Sequence, residues 1–223
     1  MSKSSMKPPI TSWGLRDYGN IIAIVGAPGS GKTALMYTIA DAIHRNRTVF
    51  VVMTKQFGRP EHYKPWDGQM YREYCVVAVN DASGFFHARD WSEKKSVMLS
   101  TFQSVRRHKG VDFIWDVQNT GDLDVTILRQ VDCMIFRQPS LMQADFERPA
   151  MRKRWEEAEE GMGGDWSLDR AYVMTHKKKF ILEGIEMPSY YNDEISTDDV
   201  VLKDGSIDQP KESISDRVRR ILS

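Results

Sequence analysis

Runs of consecutive apolar residues alternate along the chain with stretches in which apolar residues recur every three or four positions. Continuous apolar runs are typical of strands buried on both faces of a parallel sheet, and the recurring pattern is typical of helices with one buried face. The apolar runs cover residues 21–25, 48–53, 75–79, 111–117 and 132–137. This alternation predicts an α/β fold, in which helices flank a mostly parallel sheet.

The helical patterns lie between and after these runs. The predicted helices are 32–45, 91–109, 123–131 and 141–160, with Gly110 ending the second and Pro149 interrupting the last. Residues 161–164 are glycine-rich and predict a flexible break. The apolar segments 171–175 and 180–185 flank Lys177–Lys179 and predict a C-terminal β-hairpin. We expect residues 54–70 to form an irregular excursion on the surface.

The pattern indicates one domain with short appendages. Residues 1–12 are rich in Ser, Lys and Pro and are expected to be a flexible N-terminus. The domain is expected to span residues 13–200. Residues 201–223 form a polar tail, in which one amphipathic run near 214–222 predicts a short helix.

A glycine-rich loop separates the first apolar run from the first helical pattern. Glycines let such a loop turn tightly and approach a phosphate, and the following helix N-terminus attracts negative charge. In the spacing G-x-x-x-x-G-K-[ST], Lys32 would reach the β- and γ-phosphates of a nucleotide and the Thr33 hydroxyl would bind Mg²⁺. The predicted phosphate-binding loop, or P-loop, consists of Gly26, Ala27, Pro28, Gly29, Ser30, Gly31, Lys32 and Thr33.

Polar residues directly follow two later apolar runs. Because the carboxyl ends of parallel strands meet at one edge of a sheet, Asp81 and Gln118 are expected to converge on the loop that contains Lys32. An acid at this edge holds Mg²⁺ or activates the attacking water, and an amide senses the γ-phosphate. We therefore predict Lys32, Asp81 and Gln118 as catalytic residues, with Thr33 and Asp81 at the metal. Ordinary turn chemistry is the alternative for Asp81 and Gln118.

The residue before Asp81 leaves two readings open. In one, Asn80 stands where the metal-holding acid is usual, and Asp81 is the base that activates water. In the other, the strand is one residue longer, Asp81 holds Mg²⁺, and the base lies elsewhere.

Composition narrows the class of protein. The 31 Lys and Arg residues balance 31 Asp and Glu, and a net charge of zero neither favours nor excludes nucleic-acid binding. Cys75 and Cys133 lie in apolar runs and are expected to be buried free thiols, and the five histidines show no metal-ligand spacing. Neither a signal peptide nor a run of 18 apolar residues is present, which predicts a soluble, cytoplasmic protein.

The order of these motifs resembles the HerA/FtsK superfamily of P-loop ATPases. Its relatives include the genome-packaging ATPases of membrane-containing viruses and the zonula occludens toxin-like phage assembly ATPases. The resemblance covers about residues 20–196. Besides the P-loop, it is carried by Asn80-Asp81-Ala82-Ser83, Arg106-Arg107-His108-Lys109-Gly110, Gln118, Leu128-Arg129, Val131-Asp132-Cys133-Met134-Ile135-Phe136-Arg137 and Met187-Pro188-Ser189-Tyr190-Tyr191.

The resemblance implies a RecA/FtsK-like core, ATP hydrolysis with Mg²⁺, and a homo-oligomeric ring, often a hexamer, that moves double-stranded DNA. Capsid or membrane-vertex proteins are the further partners that it implies. Lys32 and Thr33 match the family's phosphate and Mg²⁺ residues, Asn80-Asp81 match its usual Asp-Glu pair, and Gln118 matches its sensor glutamine. Asn80 is the departure from that pattern. An arginine finger acting on a neighbouring subunit is expected among Arg106, Arg107, Arg129 and Arg137.

The predicted function is an ATP-driven DNA translocase of viral or proviral genome packaging. A toxin-like assembly ATPase is the second hypothesis, although those proteins commonly carry a transmembrane segment. The third is a nucleotide-binding scaffold that does not hydrolyse ATP, which Asn80 suggests. A small-molecule kinase lacks a recognisable acceptor pocket or lid motif. Lys177–Lys179 at the hairpin tip is either a contact for a nucleic-acid backbone or a solvated turn.

Overall fold

An eight-stranded sheet forms the centre of the computed structural model, which describes residues 10–52, 60–66, 73–85, 106–123 and 125–191. The strands are β1 (Ile21–Val25), β2 (Thr48–Val52), β3 (Tyr63–Pro65), β4 (Cys75–Val79), β5 (Asp112–Val117), β6 (Cys133–Phe136), β7 (Ala171–Thr175) and β8 (Lys179–Leu182). Their order across the sheet is β3-β2-β4-β5-β1-β6-β7-β8. The first six strands in that order run parallel, and β7 and β8 form an antiparallel hairpin on the β6 edge.

Helices cover the sheet, as the alternating pattern requires. They are α1 (Lys32–Ile43), α2 (Ala82–Phe85), α3 (Val125–Leu128), α4 (Gln143–Phe146) and α5 (Pro149–Met162), with 3₁₀ turns at Ile10–Trp13 and Thr120–Asp122. Successive residues of a strand face opposite sides of a sheet. Ile22 and Ile24 therefore pack with α1 on one face, whereas Ala23 and Val25 pack in the cluster that contains α5 on the other. Every residue of β1 is buried, which places the strand that leads into the P-loop at the centre of the molecule.

The predicted fold class is confirmed, including the C-terminal hairpin. The prediction of an irregular excursion over 54–70 was wrong in part, because Tyr63–Pro65 pairs with β2 as a parallel edge strand. A proline is tolerated there because an edge strand leaves one row of backbone N–H groups unpaired.

Two predictions about the region after β6 were correct only in part. The helical stretch is interrupted directly before Pro149, as predicted, but Pro149 itself begins α5, because the first helical position has no intrahelical N–H bond to lose. The predicted glycine-rich break starts late: Gly161 and Met162 belong to α5, and Gly163 ends it with φ 60°.

Several predictions lie outside the described residues. They concern residues 1–9, the polar tail with its amphipathic run, and the long helix before residue 106. Of that helix, the structure describes residues 106–109, which are helical and are followed by Gly110 with φ 66°.

A segment after β8, residues 183–191, crosses α1, and we call it the strap. The Thr38 hydroxyl donates to the Glu186 carbonyl at 2.9 Å, and the Tyr190 hydroxyl donates to Asp41 at 2.8 Å. Tyr63 of the edge strand donates to the same carboxylate at 2.7 Å. The strap and the edge strand are thus both fixed to the helix that starts at the P-loop.

Candidate functional site

The P-loop lies at the carboxyl end of the parallel strands, between β1 and α1. Gly31 precedes the helix in the left-handed region with φ 79°, and no side chain caps the helix N-terminus. Gly29 is also left-handed, with φ 74°, and a Cβ there would meet no other atom within 4 Å. The N-cap residue therefore offers the first N–H groups of α1 no side-chain acceptor, and a helix N-terminus without such a cap can bind an anion.

Lys32 is buried within this loop. Its Nζ donates to the carbonyl of Ala27 at 2.8 Å. Burial lowers the pKa of Lys32, while the nearby carboxylates of Asp116 and Asp81 act in the opposite direction. The ammonium group is held inside the loop that a phosphate would enter, where an anion would offset the loss of hydration.

The Thr33 hydroxyl meets two side chains from neighbouring strands. It lies 2.7 Å from Oδ2 of Asp116, inside β5, and 3.1 Å from Oδ1 of Asn80, which directly follows β4. The hydroxyl carries one proton and donates to one of these oxygens at a time. The structure therefore brings together Thr33 and Asn80, as expected from the strand ends, and adds Asp116.

Asp116 was missed by the sequence analysis. It is 2% exposed and pairs in register with Ile24, so it lies beside the end of β1. Burial raises its pKa, and hydrogen bonds from Thr33 and from the backbone of Asp81 counteract this. The signal in the sequence was a carboxylate in the apolar run 111–117, where an ionised group is costly unless it has a partner.

Asp81 lies next to this cluster with its side chain partly exposed. Its backbone N–H donates to Oδ1 of Asp116 at 2.6 Å, and its φ of 48° is left-handed. The Ser83 hydroxyl donates to the Asp81 carboxylate at 2.5 Å. Because Asn80, and not Asp81, contacts Thr33, the geometry favours the reading in which Asn80 occupies the position of the metal-holding acid.

Gln118 directly follows β5 and is exposed. Its carbonyl accepts a hydrogen bond from Nε2 of Gln143 at 3.3 Å. The following turn is fixed by the buried Glu147, which accepts from the hydroxyl and the N–H of Thr120 and from the Trp155 indole. The polar loop after β5 is thus anchored to α4 and α5, and the Gln118 side chain projects from an anchored backbone.

Arg137 binds the backbone of the P-loop through its guanidinium group. Its Nε donates to the Ser30 carbonyl at 2.7 Å, and its two terminal nitrogens donate to the carbonyls of Leu168 and Arg170. Burial lowers the pKa of Arg137 to about 10, so the guanidinium stays charged at neutral pH. The expectation that Arg137 acts on a neighbouring subunit is not supported, because all three of its nitrogens are bound within its own chain.

A cavity of about 160 Å³ opens beside the P-loop, between the start of α1 and the strap. Its walls include the exposed side chains of Leu168 and Met187, each 56% exposed. The remaining lining residues are Gly31, Ala34, Leu35, Thr38, Arg137, Asp169, Ile185 and Glu186. The cavity is on the β6 side of the loop, whereas Asn80 and Asp116 are on the β4 and β5 side.

A family model matches the part of the chain that contains this site. The model described as ResIII, type III restriction enzyme, res subunit, matches residues 10–136, which is more than half of the 223 residues. The chain belongs to the ResIII family. The match runs from the first 3₁₀ turn to the end of β6, so it contains the P-loop and all six parallel strands. Comparison with curated proteins gives no match.

Solved structures share the fold of this ResIII member. The DNA-packaging ATPase B204 of Sulfolobus turreted icosahedral virus is 14% identical with a TM-score of 0.56, and the match covers 77% of this chain and 100% of B204. B204 of Sulfolobus turreted icosahedral virus 2, in complex with ATP-gammaS, is 13% identical with a TM-score of 0.54, with coverages of 77% and 100%. At these identities the likeness shows a P-loop NTPase fold, which confirms the expected resemblance at that level.

The N-terminal domain of zonular occludens toxin from Neisseria meningitidis is also similar. It is 22% identical over 53% of this chain and 76% of that domain. Its TM-score of 0.40 is too low to carry a structural argument.

The remaining arginine candidates of this ResIII member lie at the amino end of the strands, away from the P-loop. Arg106 is buried and its Nη1 contacts Asp132 at 2.7 Å, so its role there is structural. Arg107 and Arg129 are exposed. They are the two candidates of the four whose guanidinium groups face solvent.

The hairpin tip also lies at the amino end, because β7 runs antiparallel to β6. Lys177 and Lys178 are exposed, and the Lys178 Nζ donates to the Ser12 carbonyl at 2.7 Å. Within the described part of the chain, no helix is long and apolar enough to span a membrane, and no cluster of His, Cys, Asp and Glu suggests a metal site of that kind. Cys75 and Cys133 are buried and are not joined in a disulfide, as predicted.

Proposed function

We propose that this ResIII-family chain is an ATPase subunit that hydrolyses ATP with Mg²⁺ and moves double-stranded DNA, as a viral or proviral genome-packaging ATPase. The proposal rests on one observation: a phosphate-binding arrangement and a cluster of side-chain oxygen atoms lie at the same edge of the sheet. A buried lysine and a helix N-terminus adjoin the loop that a phosphate would enter, and side-chain oxygen atoms of Asn80 and Asp116 both lie within hydrogen-bond distance of the Thr33 hydroxyl. The fold shared with the packaging ATPase B204 supports DNA as the substrate.

The residues present fit ATP and Mg²⁺. Mg²⁺ prefers oxygen ligands, and a hydroxyl, an amide oxygen and a carboxylate converge at Thr33. When bound, the ion neutralises charge on the phosphate oxygens. Lys32 and the N–H groups of α1 would bind the β- and γ-phosphates, and Thr33 would hold the metal.

Asp81 is the proposed base. Its carboxylate is partly exposed and would accept a proton from water while the water oxygen bonds to the γ-phosphorus and the bond to the bridging oxygen breaks. ADP and inorganic phosphate are the products. The Gln118 side chain, exposed on an anchored backbone at the same edge, would orient that water. Asp81→Asn is therefore expected to bind ATP without hydrolysing it.

The cavity beside α1 is the proposed site of the nucleotide base. It adjoins Gly31, where the phosphate-binding loop ends, and it lies on the side of the loop away from Asp81. Leu168 and Met187 offer apolar surface on which a planar base would be partly shielded from water.

The proposed assembly is a homo-oligomeric ring. Arg107 and Arg129 are exposed at the end of the sheet opposite their own P-loop, so any nucleotide that they contact would belong to a neighbouring subunit. Capsid or membrane-vertex proteins are the proposed partners of such a ring.

The deciding experiment is steady-state ATP hydrolysis with Mg²⁺, with and without linear double-stranded DNA, at low salt so that backbone contacts are not screened. DNA is expected to stimulate turnover, and Lys32→Ala is expected to abolish it. Lys64→Ala is the matched control, because Lys64 is exposed on the edge strand β3. Turnover indifferent to DNA would favour an assembly ATPase. ATP binding without turnover in either condition would favour a nucleotide-gated scaffold.

A further inference from the structure

Two carboxylates of β5 have opposite surroundings. Asp112, at the amino end, is paired with Arg47 at 2.8 Å and accepts the Asn20 N–H at 2.7 Å. Asp116, at the carboxyl end, is equally buried, yet no Lys or Arg among the described residues lies within salt-bridge distance of it. Its partners are the Thr33 hydroxyl and the Asp81 N–H. Lys32 lies near enough for its charge to act on Asp116, but no direct salt bridge joins the two side chains. A buried carboxylate without a direct ion pair can be stabilised by a cation from outside the chain.

Asp116 lies where its carboxylate could replace the acid that is missing after β4. β5 lies between β4 and β1, so a side chain near its end reaches both Thr33, after the loop of β1, and the backbone after β4. Asn80 places a neutral amide oxygen on the same hydroxyl. An aspartate at position 80 would bring a second carboxylate to that hydroxyl, and like charges at this distance oppose each other. The neutral side chain of Asn80 is therefore compatible with a carboxylate from β5 at the same hydroxyl.

We propose that Asp116 supplies the carboxylate for the divalent cation of the nucleotide site, in the place of the acid that Asn80 lacks, and that it also positions Asp81. This rests on the proposed nucleotide site. In this arrangement the acid lies on β5, one strand across the sheet from the end of β4. Through its second oxygen, Asp116 fixes the left-handed backbone of Asp81, so one side chain links the cation to the proposed base.

The test measures nucleotide affinity in the full chain instead of turnover. A fluorescent, non-hydrolysable ATP analogue is titrated with Mg²⁺ and with EDTA into the wild type, Asp116→Asn, and the double variant Asn80→Asp with Asp116→Asn. Binding of Mn²⁺ in the presence of the analogue is followed separately by its electron paramagnetic resonance signal. Asp17→Asn is the control, because Asp17 is an exposed carboxylate at the amino end.

In the wild type, Mg²⁺ is expected to tighten binding of the analogue. Asp116→Asn is expected to weaken Mn²⁺ binding by about 10- to 100-fold and to remove most of the Mg²⁺ effect, with affinity in EDTA unchanged. The double variant should regain the Mg²⁺ effect, because it returns the carboxylate to β4. A folded Asp116→Asn that keeps the full Mg²⁺ effect would overturn the proposal.

The remaining outcomes are also decisive. If Asp116→Asn does not fold and the double variant does, recovery of the Mg²⁺ effect in the double variant supports the proposal and its absence overturns it. If neither folds, the role of Asp116 is structural and the proposal is wrong. If the wild type binds the analogue neither with Mg²⁺ nor in EDTA, the proposed nucleotide site itself fails, which is a different result from loss of the Mg²⁺ effect alone.

Discussion

At the scale of single residues, the candidate site joins a loop of fixed spacing to an acid that the sheet brings beside Thr33. The motif from Gly26 to Thr33 has fixed spacing, so its residues are found without a structure. Asp116 has no such spacing relative to Lys32, because its nearness to Thr33 depends on β5 being placed beside β1. Asp116 also lies within a strand, whereas Asp81 and Gln118 lie directly after one. Only the high cost of an unpaired carboxylate in an apolar run marks the position.

The proposed base cavity makes a prediction for Leu168. Replacing this half-exposed leucine with asparagine removes apolar surface from the cavity without adding charge near the phosphates. We expect Leu168→Asn to weaken ATP binding about tenfold, roughly what the loss of a partly buried leucine contact is worth. Binding of inorganic tripolyphosphate, measured by competition, should not change, because it has no base.

The control for Leu168 is Leu141→Asn, since Leu141 is also an exposed leucine but lies outside the cavity lining. An equal loss of affinity for ATP and tripolyphosphate in Leu168→Asn would place the effect on the phosphates. Unchanged affinity for both would remove the base from this cavity.

At the scale of elements, the strands buried on both faces were the most predictable, because each is a continuous apolar run. The edge strand β3 was missed since it is three residues long and contains Lys64 and Pro65, which are typical of loops. Pro149 and Gly161 were read as breaks, although the meaning of a proline or glycine depends on where in the helix it falls. Those positions follow from tertiary packing, which local sequence does not contain.

For Gly161→Ala, helix propensity and packing predict changes of opposite sign in the free energy of unfolding. Propensity alone would make Gly161→Ala stabilising by about 1 kcal/mol. In the structure, a Cβ at this position would lie 2.3 Å from Cε2 of Tyr172 on β7, so α5 or the ring must shift. We expect Gly161→Ala to lower the free energy of unfolding by about 1–3 kcal/mol, measured by urea denaturation.

The second variant of this test is Tyr172→Val, which removes the ring that the new methyl group meets. Combined with Gly161→Ala, it should show a favourable coupling energy in a double-mutant cycle. Gly163→Ala is the comparison, since a Cβ there meets nothing within 4 Å and its cost comes from φ 60° alone. A stabilised Gly161→Ala would show that the ring moves aside freely.

At the scale of the whole molecule, the sheet separates two ends with different chemistry. The carboxyl end holds the P-loop, Asp116 and Asp81, and the amino end holds buried ion pairs such as Arg47–Asp112 and Arg106–Asp132. The sequence could not sort the four arginine candidates, because the partners of Arg106 and Arg137 lie 26 and 107 residues away along the chain. The fold decides which guanidinium groups are occupied and which face solvent.

This division predicts how the arginines behave in an assembly. Arg107→Ala and Arg129→Ala are expected to leave the melting temperature unchanged, because both side chains are exposed. In a ring, at least one of them should lower ATP hydrolysis by about 10³-fold, the usual effect of losing an arginine finger. Mixing that variant with Lys32→Ala subunits should restore part of the activity, since each then supplies what the other lacks. Arg154→Ala, exposed on α5, is the control, and full activity in both Arg107→Ala and Arg129→Ala would exclude these two arginines as fingers.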